Sequence, residues 1–119
     1  MPMRIRQTGT NHHHAPVEVR ERLALSADGL AGALATLRAL PGVQEAVLVC
    51  TCNRVELTWV DNGACLDDVV TVLGAQSGAG PEALKPHLFH HSDEAAVRHL
   101  FRVCSGLDST GTPRVAEPP

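Results

Sequence analysis

Aromatic residues are scarce in this 119-residue sequence: Trp59, Phe89 and Phe101, with no tyrosine, make up 3% of it. Any core must therefore be built from Leu, Val and Ala. Basic residues are also few. Ten Lys plus Arg against thirteen Asp plus Glu give a net charge of -3, which excludes a generally basic nucleic-acid-binding surface. A local patch from Arg20, Arg22, Arg54, Arg98 and Arg102 is the basic surface that remains. No apolar run approaches the roughly 20 residues of a membrane helix. The opening MPMRIRQTGTNHHH carries charge but no apolar signal-peptide core. A cytoplasmic protein without membrane attachment is expected. The four cysteines, Cys50, Cys52, Cys65 and Cys104, are irregularly spaced without a secretion signal and read as reduced thiols. With 44% hydrophobic and 19% charged residues, the chain is sufficient for one globular domain.

Helical and strand patterns interleave along the chain. RIRQTGT is a weakly alternating first strand, and Pro16 suits the first turn of a helix through VEVRERLAL. Ser26 reads as the cap of a second helix, in which Leu30, Ala33, Leu34, Leu37 and Leu40 recur at helical spacing until Pro41-Gly42 stops it. Val43 to Val49 is β-branched and ends at the polar knot CTCNR, after which Val55, Leu57 and Trp59 alternate with Glu56 and Thr58. Two strands joined by a loop are expected. Asp61-Asn62-Gly63 is a turn, and Cys65, Leu66, Val69, Val72 and Leu73 share one stripe of a third long helix. HLFHH reads as a short strand, and Ser92 with Asp93 and Glu94 opens a last helix that ends near Gly106. These patterns predict an α+β domain over residues 1–110, a small, mainly antiparallel sheet of three to four strands covered by helices. The proline-rich end, 111–119, is expected to be a disordered tail.

Few residues are placed to carry chemistry. His12, His13 and His14 are adjacent and so point apart, and no HExxH or paired CxxC completes a site; no metal is expected. His87, His90 and His91 are similarly scattered. Cys50 and Cys52 sit about 7 Å apart on one side of an extended chain. Cys65 and Cys104 fall on apolar helical stripes and read as small buried hydrophobes. Cys52 is different, because Thr51, Asn53 and the fixed charge of Arg54 surround it and would stabilise a thiolate. On the last helix Val97, Leu100, Phe101 and Cys104 form an apolar stripe expected to face the core. At about 100° per residue that puts His99 nearly opposite, in solvent or on the wall of a cleft. The single glycine-rich stretch, GAQSGAGP, makes neither GxGxxG nor GxxxxGKS, so no dinucleotide fingerprint is present.

Three blocks, NHHHAPVEVRERLALS, VLVCTCNRVEL and AVRHLFRVCSGLDS, together resemble the N-terminal catalytic domain of glutamyl-tRNA reductase over roughly residues 8 to 110. The resemblance implies that a glutamyl group passes from glutamyl-tRNA to a cysteine as a thioester. NADPH then reduces it to glutamate-1-semialdehyde for tetrapyrrole (porphyrin) synthesis. It places the nucleophile on Cys52, the histidine important for activity on His99, and substrate contacts on Thr51, Cys52, Asn53, Arg54 and Ser109. Cys50 stands where the family usually has serine and is read as a bystander. In the family, NADPH is bound by a separate domain and dimerisation uses a third; both are expected to be absent from this chain, and the NADPH domain acting in trans is a partner the resemblance implies.

After SGLDST the family continues VLGEPQI, whereas this chain reads GTPRVAEPP. The expectation is a truncated, frame-shifted or fragmentary product that cannot complete the reduction alone. The polar MRIRQTGT also departs from the family's apolar first strand and puts the sheet edge in doubt. Two other readings share the motifs: a non-catalytic module binding tRNA or a reductase, and an inactive gene remnant. Most tRNA affinity is expected to reside outside this chain.

Overall fold

The computed structural model describes residues 3–11, 16–23, 27–51, 54–75 and 80–106. Its elements run β1 (Arg4–Asn11), α1 (Val17–Leu23), α2 (Ala27–Ala39), β2 (Val43–Cys50), β3 (Arg54–Asp61), α3 (Leu66–Leu73), α4 (Pro81–Leu84), a 3-10 turn (Lys85–His87), β4 (Phe89–Ser92) and α5 (Glu94–Cys104). The four strands form one sheet in the order β2-β3-β1-β4, with every pairing antiparallel. The α+β expectation therefore holds. No described helix is long and apolar enough to cross a membrane. The expected Ser26 cap and the 111–119 tail lie outside the described residues.

One face of the sheet is aliphatic. Ala46 and Leu48 on β2 and Val55, Leu57 and Trp59 on β3 meet Leu37 of α2 and Val69, Val70 and Leu73 of α3 in one cluster. At roughly 25 cal/mol per Å² of apolar surface removed from water, this layer supplies most of the driving force for folding. Two glycines let its elements close up. Gly42 has φ +87°, and a Cβ there would stand 2.3 Å from the Ala64 nitrogen. A Cβ on Gly9 would meet the Val55 carbonyl oxygen at 2.3 Å, so β1 approaches β3 closely only without a side chain at that position.

The polar first strand is not a sheet edge. β1 lies between β3 and β4, and Gln7, Thr8, Thr10 and Asn11 are all buried. The polar MRIRQTGT was expected to put the sheet edge in doubt, but β1 is central: the side chains of Gln7, Thr8 and Asn11 find partners, while Gln7 Oε1 and Thr10 Oγ1 have none among the described residues. Gln7 Nε2 donates to Thr58 Oγ1 at 2.8 Å, and Thr8 Oγ1 donates to the Phe89 carbonyl at 3.1 Å.

The last helix is also turned from its expected orientation. Ser92 belongs to β4, α5 begins at Glu94, and Asp93 holds β1 instead of capping the helix: its Oδ1 accepts from the Ile5 amide at 3.1 Å and its Oδ2 pairs with Arg4 at 2.9 Å. Ala96 and Val103 are the buried residues of α5, while Val97, Phe101 and Cys104 are exposed. Three of the four residues of the stripe assigned to the core therefore face outward, and Leu100 is part-buried. Cys65 is exposed too, one residue ahead of α3, so neither Cys65 nor Cys104 is the buried hydrophobe expected.

Candidate active site

The second face of the sheet, which α5 overlies at β1 and β4, is where polar groups gather. β2 and β3 are closed by the Thr51 amide donating to the Arg54 carbonyl at 2.8 Å. Cys52 and Asn53, between those residues, lie outside the described residues, as do His12, His13, His14 and Ser109. Strand alternation then puts Arg54 and Glu56 on the face opposite Val55 and Leu57.

Glu56 is the hub of this face, although it is only 3% exposed. Its Oε2 accepts from Arg54 Nη1 at 2.7 Å and from Asn11 Nδ2 at 3.1 Å. Its Oε1 lies 2.7 Å from Nε2 of His99. A carboxylate this deep is tolerable only because charge-assisted hydrogen bonds meet both oxygens. With Nε2 donating to Glu56, Nδ1 is the imidazole nitrogen left to exchange a proton. The ring is 14% exposed and is walled by Phe89 and His91, whose ring centroids lie 5.0 and 5.1 Å from its own.

His99 thus does not lie in solvent: on the side of α5 opposite the outward Val97, Phe101 and Cys104, it reaches inward to the sheet. Arg54 is fully buried, so it cannot belong to a phosphate-binding surface patch with Arg22, Arg98 and Arg102, which are exposed. Arg98 is itself paired with Glu94 at 2.7 Å. Cys50 is half-buried and packs against the aliphatic core.

Sequence reasoning passed over Glu56, Asn11, Phe89 and His91. Glu56 read as the polar position of an alternating strand. The available signal was its place two residues after Arg54, a spacing that puts both on one face of β3. Nothing in the sequence said that His91 and His99 would meet, since a strand and a helix must first be packed together. His90, next along β4, points to the other face, with its Nδ1 2.9 Å from Thr8 Oγ1. Burial, and then the charges of Arg6 and Lys85, hold its pKa below the usual histidine value.

A buried arginine–carboxylate–histidine network on one face of an antiparallel sheet defines an α+β domain whose carboxylate orients an imidazole. Comparison with known proteins makes the assignment specific. The family described as Glutamyl-tRNAGlu reductase, N-terminal domain, matches residues 8–112, and the chain belongs to it. It is 48% identical over 109 residues to the glutamyl-tRNA reductase of Salinispora arenicola, covering 90% of this chain and 24% of that one. It is 45% identical over 109 residues to that of Chromohalobacter salexigens, covering 90% and 26%. The solved glutamyl-tRNA reductase of Methanopyrus kandleri superposes with a TM-score of 0.59 at 29% identity, covering 89% of this chain and 23% of that one. The chain therefore spans about a quarter of the length of these relatives.

Proposed function

We propose that this domain performs the acyl-transfer half of the glutamyl-tRNA reductase reaction, with Cys52 as nucleophile and His99 as proton carrier. The observation that supports the reading best is the 2.7 Å contact between His99 and Glu56, which joins the TCNRxE and HLFRV blocks into one site across 43 residues of sequence. The Cys52 thiol gives its proton to Nδ1 of His99. The thiolate attacks the ester carbonyl of glutamyl-tRNA, and the C–O bond to the ribose breaks. His99 returns the proton to the departing ribose oxygen, leaving a glutamyl thioester and free tRNA. Glu56 acts through His99, holding its ring and tautomer. Arg54 anchors Glu56 and adds a permanent positive charge two residues from the thiol. Thr51, Asn53 and Ser109 would contact the glutamyl group.

As the resemblance implies, NADPH would reduce the thioester to glutamate-1-semialdehyde for tetrapyrrole synthesis. These residues do not fit a nicotinamide cradle: the glycine-rich stretch leaves α3 at Gly74 and enters α4 at Pro81, without the strand-to-helix turn such a cradle uses. No reductive step is assigned to them.

The test is to mix the protein with glutamyl-tRNA carrying labelled glutamate, without NADPH, and to look for a glutamyl adduct by mass spectrometry. An adduct on Cys52 that is absent in Cys52→Ser is expected. A folded protein that binds glutamyl-tRNA with unchanged affinity in Cys52→Ser and never forms an adduct would mark a binding module instead.

A further inference from the structure

Backbone strain among the described residues falls at the joint between β4 and α5. Asp93 is the one non-glycine residue there at positive φ. Its φ of +52° and ψ of -118° are those of the first central position of a type II′ turn, where glycine is the usual residue because it has no Cβ to clash. An aspartate in that conformation is held by its contacts. The Asp93 amide donates to the Ile5 carbonyl at 2.6 Å, which continues the ladder between β1 and β4 by one residue. In a hydrogen-bonded antiparallel pair the two residues exchange both bonds. Here the Asp93 carbonyl is taken by the Val97 amide at 3.0 Å, the first bond of α5, so the Ile5 amide donates at 3.1 Å to Asp93 Oδ1 instead. The side chain thus replaces the carbonyl that the helix has claimed. Oδ2 accepts from Nε and Nη2 of Arg4 at 3.1 and 2.9 Å. The Arg4 guanidinium, and then the Ile5 amide, hold this carboxyl below its usual 3.8.

We propose that Asp93 is a positioning residue for His99, fixing the angle at which α5 leaves the sheet so that Nε2 of the imidazole meets Glu56. Glycine would satisfy the turn with less strain, but it would leave the Ile5 amide without its acceptor and the helix without its tie to β1. Little else fixes the N-terminal half of α5, where Ala96, a single methyl group, is the buried residue. His99 lies six residues beyond Asp93, about 9 Å along the helix axis. A pivot of about 10° at Asp93 moves His99 about 1.5 Å over that lever, enough to break its 2.7 Å hydrogen bond to Glu56. The consequence for rate rests on the proposed role of His99 as proton carrier, whereas the consequence for the His99–Glu56 contact does not.

The test reads the ring directly. Nitrogen-15 NMR shifts of His99, assigned with His99→Asn, distinguish a fixed Nε2–H tautomer from the average of two tautomers given by an unheld neutral imidazole. At about pH 8, above the usual histidine range, wild type is expected to show the fixed tautomer. Asp93→Asn keeps the acceptor for Ile5 and should preserve it, while Asp93→Gly and Asp93→Ala should move toward the average. With saturating glutamyl-tRNA, adduct formation on Cys52 should slow about 10–10²-fold in Asp93→Gly and stay within about twofold of wild type in Asp93→Asn, with affinity for glutamyl-tRNA unchanged in both. A tautomer as fixed in Asp93→Gly as in wild type overturns the proposal, as does a wild-type ring that already averages. So does loss of the fold in both Asp93→Gly and Asp93→Ala, which would make Asp93 a folding residue only. No adduct in wild type, with His99 fixed there and released in Asp93→Gly, would uphold this inference and remove the acyl-transfer reading alone.

Discussion

The two faces of the sheet are built from the same strands yet serve opposite ends. On the α2–α3 side, Leu57, Val55 and Trp59 pack against Leu37, Val69 and Leu73, and the gain comes from apolar area that no single residue dominates. On the α5 side, one carboxylate holds Arg54, Asn11 and His99 together. The first face tolerates gradual change because its energy is distributed. The second does not, because removing Glu56 or Arg54 strands a buried charge. Specificity of geometry is bought there at the expense of stability, a pattern common where side chains must be held for chemistry.

Four experiments would sharpen or break this contrast. Glu56→Ala leaves the Arg54 guanidinium buried without its carboxylate and should cost about 3–5 kcal/mol in denaturant unfolding; a loss under about 1 kcal/mol would show that the relay is not buried as described. Leu57→Ala, at a fully buried core position, should cost about 2–5 kcal/mol. Unlike Glu56→Ala, it should leave the folded fraction forming adduct at the wild-type rate. His99→Asn should lower stability by only about 1 kcal/mol, yet slow adduct formation about 10²–10⁴-fold. A normal rate in this variant would remove His99 from the proposed chemistry.

The smallest effect concerns acid. Burial would raise the pKa of Asp61, but the Trp59 indole, the amides of Ala64 and Gly63 and the charge of Arg6 outweigh it and hold this carboxyl below its usual 3.8. The unfolded chain then takes up the proton first. The contribution of Asp61 is intact above the ordinary carboxylate value and is lost as pH falls through the lower folded value. Urea midpoints measured between pH 5 and pH 3, as a rough bracket of that window, should therefore fall more steeply for wild type than for Asp61→Asn; parallel curves would assign the acid sensitivity to other carboxylates.

How much was legible varied with the kind of interaction. Elements whose apolar residues repeat, such as α2 with Leu30, Leu34 and Leu37, could be read directly, because the driving force lies in the pattern itself. β1 could be placed as a strand but not as a central one: partners for Gln7 and Thr8 come from residues 58 and 89, and sequence order does not encode that pairing. α5 misled for a related reason. Its apolar stripe is the stronger signal, but the inward side carries Ala96, Val103 and His99, the last meeting a buried carboxylate 43 residues away.

The sequence alone determined the α+β class, the hairpin around Thr51 and Arg54, and the three blocks by which the family is recognised, since each depends on local periodicity or contiguous residues. Only the tertiary structure decided that Glu56 joins Arg54 to His99, that His91 and Phe89 wall the imidazole, and that Phe101 faces outward. Those outcomes depend on which strand lies beside which and how a helix is rolled upon them, and such choices are settled by the summed energy of distant contacts.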